Sequence, residues 1–142
     1  MNRSETIALI ERIYAEAFNG HNPAALDDLF ADDFVAYAPG YGGPLDRAGA
    51  RWAVADYIRA FPDAHWEVEG IMVEGDQVAW RETFTGTHGQ PLHGMPPTGR
   101  VVRATGMSMA LLRAGRVWRH WSVYDSLGIL QQIGLMPPLA DD

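Results

Sequence analysis

The sequence predicts an α+β fold, a cone-shaped, curved antiparallel sheet wrapped around N-terminal helices, in one domain over residues 1–142. Three observations predict it. Apolar residues recur at helical spacing as far as Phe61. From Ala64 to Tyr124 the apolar period drops to two. Within that stretch, Gly75-Asp76 and Ala114-Gly115 are tight hairpin signals, which join successive strands antiparallel.

Each element has its own signal. Residues Ser4 to Asn19 carry Ile7, Ile10, Tyr14, Ala17 and Phe18 on one stripe, and Asn19-Gly20 stops the helix. Asn22-Pro23 restarts one, with Leu26, Leu29 and Phe30 as its buried face. Asp33 to Ala38 reads as a short strand, and Pro39 to Pro44 as a mobile loop. Asp46 caps a third helix to Phe61, with Trp52, Tyr57 and Ile58 inward. Strands follow at Ala64–Glu74, Gln77–Gly86, Val101–Leu112 and Arg116–Tyr124. A proline-containing loop spans Gly89–Gly99, and a last helix runs from about Ser126 to Ile133, closed by Gly134. Strands this long must twist or bulge. A curved sheet closed at one end by helices leaves a conical interior, suited to a mostly apolar small molecule.

Composition narrows the partners. The net charge of −7, with eleven scattered basic residues, argues against nucleic acid and anionic membranes. The absence of cysteine excludes disulfides and thiolate metal sites. With no apolar run of membrane-spanning length and no signal-peptide core after Met1, the expectation is a cytoplasmic protein.

Chemistry concentrates between Gly115 and Gly134. Strict alternation puts Trp118, His120, Ser122 and Tyr124 on one strand face, taken as the cavity face. Val117, Arg119, Trp121 and Val123 fall on the other. His120 is a candidate acid, base or orienting donor near neutral pH, or else a packed histidine bonded to a carbonyl. Asp125 is either its carboxylate partner or the N-cap of the last helix; alternation alone puts it opposite His120. Ser122 can hold a substrate oxygen, but needs a neighbour to become a nucleophile. Tyr14, Tyr37, Trp52, Trp66, Met95, Trp118 and Tyr124 are candidate substrate-binding wall residues. Arg81 is either an anchor for an enolate or carboxylate or a surface ion-pair partner. His88 and His93 lack a third ligand, so no metal is expected. Gly40–Gly43 lacks the Lys-Ser/Thr of a phosphate loop and reads as a lid, with Gly89–Gly99 as the opposite rim.

Several segments carry a resemblance: Tyr14–Asn19, Leu29–Phe34, Thr83–His88, Gly94–Arg100, and His120-Trp121 through Leu130–Gly134. In this order they resemble the SnoaL-like polyketide cyclases, or ester cyclases, α+β barrels of the nuclear transport factor 2-like superfamily. The resemblance implies cofactor-free chemistry on a bulky carbonyl compound, in which an aspartate takes a proton and the enolate closes a ring. That aspartate's position, two after the strand histidine, is Ser122 here. The position of a helper histidine falls at Ser108, which can hold a carbonyl oxygen. Asp125 is the remaining carboxylate of the motif. Other relatives have a hydroxyl residue at the Ser122 position, keep the later aspartate, and are linked to cyclisations needing little acid–base help or to cofactor-independent hydroxylation.

The resulting expectation is a cofactor-independent cyclase acting on a polyketide-type small molecule, by acid–base or shape-driven ring closure. A hydroxylase or isomerase on the same fold, or a non-catalytic ligand-binding or dimerisation domain, is the alternative. The sheet face bearing Val117, Trp121 and Val123 predicts a homodimer, which elution at monomer mass would contradict.

Overall fold

The computed structural model describes residues 1–139 as four α-helices and one six-stranded curved sheet. Helix α1 (Arg3–Ile13) opens on a capping box. The Asn2 side chain accepts from the Glu5 amide, and the Glu5 carboxylate accepts from the Asn2 amide, both at 2.9 Å. The predicted helix to Asn19 does not stay α-helical, because Tyr14–Phe18 widen into a π turn. Such turns often mark functional positions; this one buries both Tyr14 and Ala17. A 3₁₀ turn at Pro23–Ala25 leads into α2 (Leu26–Leu29).

Strand β1 (Phe30–Tyr37) starts three residues before the predicted Asp33. After the Pro39–Pro44 loop, Leu45–Asp46 form a short β2 against β1. The Asp46 carboxylate accepts from the Gly49 amide at 2.8 Å and so caps α3 (Arg47–Ala60), as predicted. Trp52, predicted inward, is 55% exposed on the solvent side of the helix, whereas Tyr57, also predicted inward, does line the interior.

Strands β3 (His65–Glu74), β4 (Gln77–Thr87), β5 (Val101–Arg113) and β6 (Arg116–Tyr124) form the antiparallel meander. The sheet order is β2-β1-β6-β5-β4-β3, and β1 joins β6 in parallel, so the sheet is mixed. Helix α4 (Ser126–Gln132) follows β6. Ile10, Leu26, Leu29, Phe34, Phe61 and Phe84 are among the fully buried side chains between sheet and helices. Gly86 permits one tight contact, since a Cβ there would stand 2.9 Å from Phe61 Cβ.

One irregularity moves predicted site residues. Leu111 pairs with Arg119 and Leu112 with Val117, so Trp118 is the extra residue of a β-bulge. Strict alternation therefore fails there. Val117, predicted outward, is 2% exposed in the core, while Trp118 swings outside to lie between the guanidinium groups of Arg113 and Arg119.

Candidate functional site

The inner sheet face and the helices enclose a cavity of about 330 Å³, the size of a pocket for a small organic molecule. Its wall is mainly apolar and aromatic, including Phe18, Phe30, Trp66, Phe84, Met95 and Ile129. Polar groups reach it from few places: Tyr14, Glu82, His120, Ser122 and Tyr124 deep on the sheet side, Ser126 at the start of α4, and Tyr41, Tyr57 and His93 towards the loops. Among the described residues no Arg or Lys lines it.

The deep group is built around Glu82, only 2% exposed. On β4 the inward column reads Val78, Trp80, Glu82, Phe84, Gly86, so one carboxylate interrupts an apolar row. A buried carboxylate only accepts, and needs donors. Three converge on it: the Ser108 hydroxyl donates to Oε1 at 2.9 Å, the Trp80 indole N–H donates to Oε2 at 2.8 Å, and the Tyr14 hydroxyl donates to Oε2 as well. The π turn, β4 and β5 each supply one donor. Gly106 on β5 lies directly beneath the Tyr124 ring, where a Cβ would meet ring carbons at 3.0 Å. That absence lets the ring settle beside Glu82.

His120 lies beside this node, stacked on Trp80 with ring centroids 5.7 Å apart and planes 9° apart. Its Nε2 is buried and has no hydrogen-bond partner among the described residues. Burial pushes the imidazole's pKa below its ordinary value, and the nearby Glu82 charge opposes this only in part. Burial also pushes the Tyr14 phenol well up, reinforced by Glu82, and does the same to Tyr124, reinforced by Tyr14 and Glu82. Tyr57 is pushed up to about 12, first by burial and then by Tyr41 and Asp56. Near pH 7 the cavity thus offers neutral phenols as donors and a neutral imidazole as an acceptor or base.

The structure brings His120, Ser122, Tyr14, Trp66, Met95 and Tyr124 to the cavity wall. Ser108 stands behind Glu82. Asp125 is drawn elsewhere: its carboxylate accepts from the Gly128 amide at 2.9 Å, capping α4, and it does not line the cavity. Tyr37 pairs with Trp121 across the β1–β6 register and stacks on it outside the sheet at 5.5 Å, because its neighbour Ala36 takes the inward position. Arg81 points to the outer face of β4, where its guanidinium covers Gly70. Trp52 and Trp118 are outside for the reasons given above. Glu82 was missed by sequence reasoning. Its signal is a charged residue in phase with Val78, Trp80 and Phe84, which an adjacent charge at Arg81, out of phase, obscures in the sequence. Among the described residues no three His, Cys, Asp or Glu side chains are grouped to hold a metal ion, and no helix is long and apolar enough to cross a membrane.

The model of the SnoaL-like polyketide cyclases matches residues 8–133. The chain belongs to this family. Solved structures agree with that cyclase fold. TsrD from Streptomyces laurentii is 26% identical with a TM-score of 0.84, covering 96% of this chain and 99% of its own. IdmH from Streptomyces antibioticus, a candidate polyketide cyclase, is 36% identical with a TM-score of 0.79, covering 89% and 96%. AclR from Streptomyces galilaeus, a candidate hydroxylase, is 28% identical with a TM-score of 0.87, covering 99% and 87%. No curated protein sequence matches the chain. The SnoaL-like chain thus carries the family's α+β cone, with Ser122 lining its cavity, Ser108 bonded behind it, and Glu82 as the carboxylate inside.

Proposed function

We propose that this SnoaL-like protein is a cofactor-independent cyclase for an uncharged, polyketide-type carbonyl compound. The observation that carries the reading is His120: a cavity-lining imidazole, kept neutral by burial, with an unpartnered Nε2. The imidazole takes a proton from a carbon next to a carbonyl, leaving an enolate and an imidazolium. The enolate carbon bonds to a second carbonyl carbon, and the resulting alkoxide takes the proton back. The product is an isomer of the substrate, and no co-reactant is consumed. Ser122 and Tyr124 hydroxyls, from the same strand face, steady the developing oxyanion. Glu82 has its oxygens engaged by three donors, so it fixes Tyr14, Trp80 and Ser108 rather than leading the proton transfer. The aromatic wall holds the chain folded for attack.

The uncharged class follows from the lining. A substrate carboxylate or phosphate would meet Glu82 and find no Arg or Lys among the described lining residues. The outer sheet face, with Met72, Met107, Val123 and Trp121 exposed, supports the homodimer as part of the same reading.

The test is deuterium exchange at the α-carbon of α-tetralone, a compact aromatic ketone, followed by proton NMR. The protein accelerates exchange, and His120→Gln lowers the rate by roughly 10² to 10⁴. A fall of less than about tenfold removes His120 as the base. Oxygen uptake with substrate in its place would favour a hydroxylase, the activity AclR is a candidate for.

A further inference from the structure

The mouth of the cavity holds a second arrangement of acid–base groups that the proton transfer at His120 does not use. Asp56 on α3 is buried, 4% exposed. Its Oδ1 accepts from Arg59. Its Oδ2 has no hydrogen-bond partner among the described residues and faces His93 Nδ1 at 3.5 Å, just beyond the usual hydrogen-bond range. Tyr41 and Tyr57 are the other titratable groups that feel this carboxylate. His93 packs edge-on to Tyr57, lines the cavity, and keeps 47% of its side chain open to solvent.

The backbone places His93 there at a cost. Leu92 and Met95 bridge across a two-residue turn in which His93 has φ 48° and Gly94 φ 78°. Positive φ at both central positions is the type I′ pattern, for which Asn-Gly is the usual choice. A bulkier histidine held in that region is the kind of strain that collects at working positions.

We propose that Asp56 and His93 form a second acid–base site, which recognises an acidic hydroxyl, a phenol or enol, at the outer end of the substrate. The inference rests on the reading of the deep cavity as a carbonyl site. It adds that the same molecule carries a hydroxyl at its other end. In this step the hydroxyl O–H bond breaks as its proton passes to His93 Nε2. Nδ1–H then donates to Asp56 Oδ2, which balances the imidazolium charge. The proton stays on Nε2, so the bound oxyanion is held as an ion pair with the imidazolium. His93 is the group that meets substrate; Asp56 is a positioning residue that sets the tautomer.

The probe is para-hydroxyacetophenone, whose phenolate absorbs at longer wavelength than its phenol, with acetophenone as the hydroxyl-free control. Bound to the protein at pH 7, it shows the phenolate band, and the band persists in His120→Gln, which keeps this test separate from the fate of the deep base. His93→Gln loses the band and binds the probe about tenfold more weakly, while acetophenone binds both proteins alike. Asp56→Asn also weakens the band, and long-range proton–nitrogen NMR of His93 reports a changed tautomer, which a merely structural role would not produce. If Asp56→Asn does not fold, His93→Gln decides. Binding only as the neutral phenol, no binding, or a phenolate band unchanged in His93→Gln overturns the proposal.

Discussion

The floor and the mouth of the cavity use polar groups in opposite ways. At the floor, Glu82 is surrounded by donors from regular elements: Tyr14 at the π turn, Trp80 on β4 and Ser108 on β5. At the mouth, Asp56 on α3 keeps an oxygen without a hydrogen bond among the described residues, and the His93 that faces it sits in a turn. His93 and Gly94 have positive φ, as do Gly40 and Gly42 in the facing loop. A satisfied network in low dielectric is rigid, and a half-satisfied one is ready to accept a partner. On the proposed reading, the floor fixes where a carbonyl and its α-carbon sit, while the mouth adapts to what enters.

The largest break in this comparison comes from the floor. Glu82→Ala strips the acceptor from the Tyr14 and Ser108 hydroxyls and from the Trp80 N–H, and leaves a void beside them. We expect a loss on the order of 3 kcal/mol, read as a melting temperature lower by roughly 10 °C. A drop under about 2 °C would mean that the donors find other partners and the floor is not held by this node.

A smaller effect separates His120 from the node by pH. Burial holds its folded pKa below the ordinary 6.5. As pH falls, the unfolded chain takes up this proton first. His120's contribution to stability is therefore complete above the unfolded value and is lost as pH falls through it toward the folded one. Denaturation followed between neutral and mildly acidic pH should show stability declining with acid, and the decline should be shallower in His120→Gln. An identical slope in both proteins would mean that the imidazole is not desolvated as its surroundings imply.

The same contrast explains what was legible in the sequence. Helix stripes, caps and hairpin turns are local, so the caps at Asp46 and the meander strands followed from spacing alone. Asp125 was ambiguous because a cap and a catalytic carboxylate look alike in one dimension; the Gly128 amide takes it in three. The Trp118 bulge shifts the face of every residue before it on β6, and nothing in a period-two pattern announces an inserted residue. Tyr37 was misplaced because β1's phase is set by its parallel pairing with β6, a contact between the two ends of the chain. The Asp56–His93 approach joins a helix to a distant turn, and no spacing rule relates them.

The smallest expected effect lies at the mouth and has the opposite sign to that at the floor. His93→Gly removes a side chain from a position whose φ of 48° suits glycine. It also removes from Asp56 Oδ2 a neighbour at 3.5 Å that makes no hydrogen bond to it. Relief of backbone strain opposes the greater entropy of the unfolded glycine, so stability should change by less than about 1 kcal/mol, with the melting temperature nearly unmoved. The cost should fall on binding of the hydroxyl-bearing probe instead. A large loss of stability would show that His93 is a structural strut pinning the Leu92–Met95 turn, and the mouth would then resemble the floor.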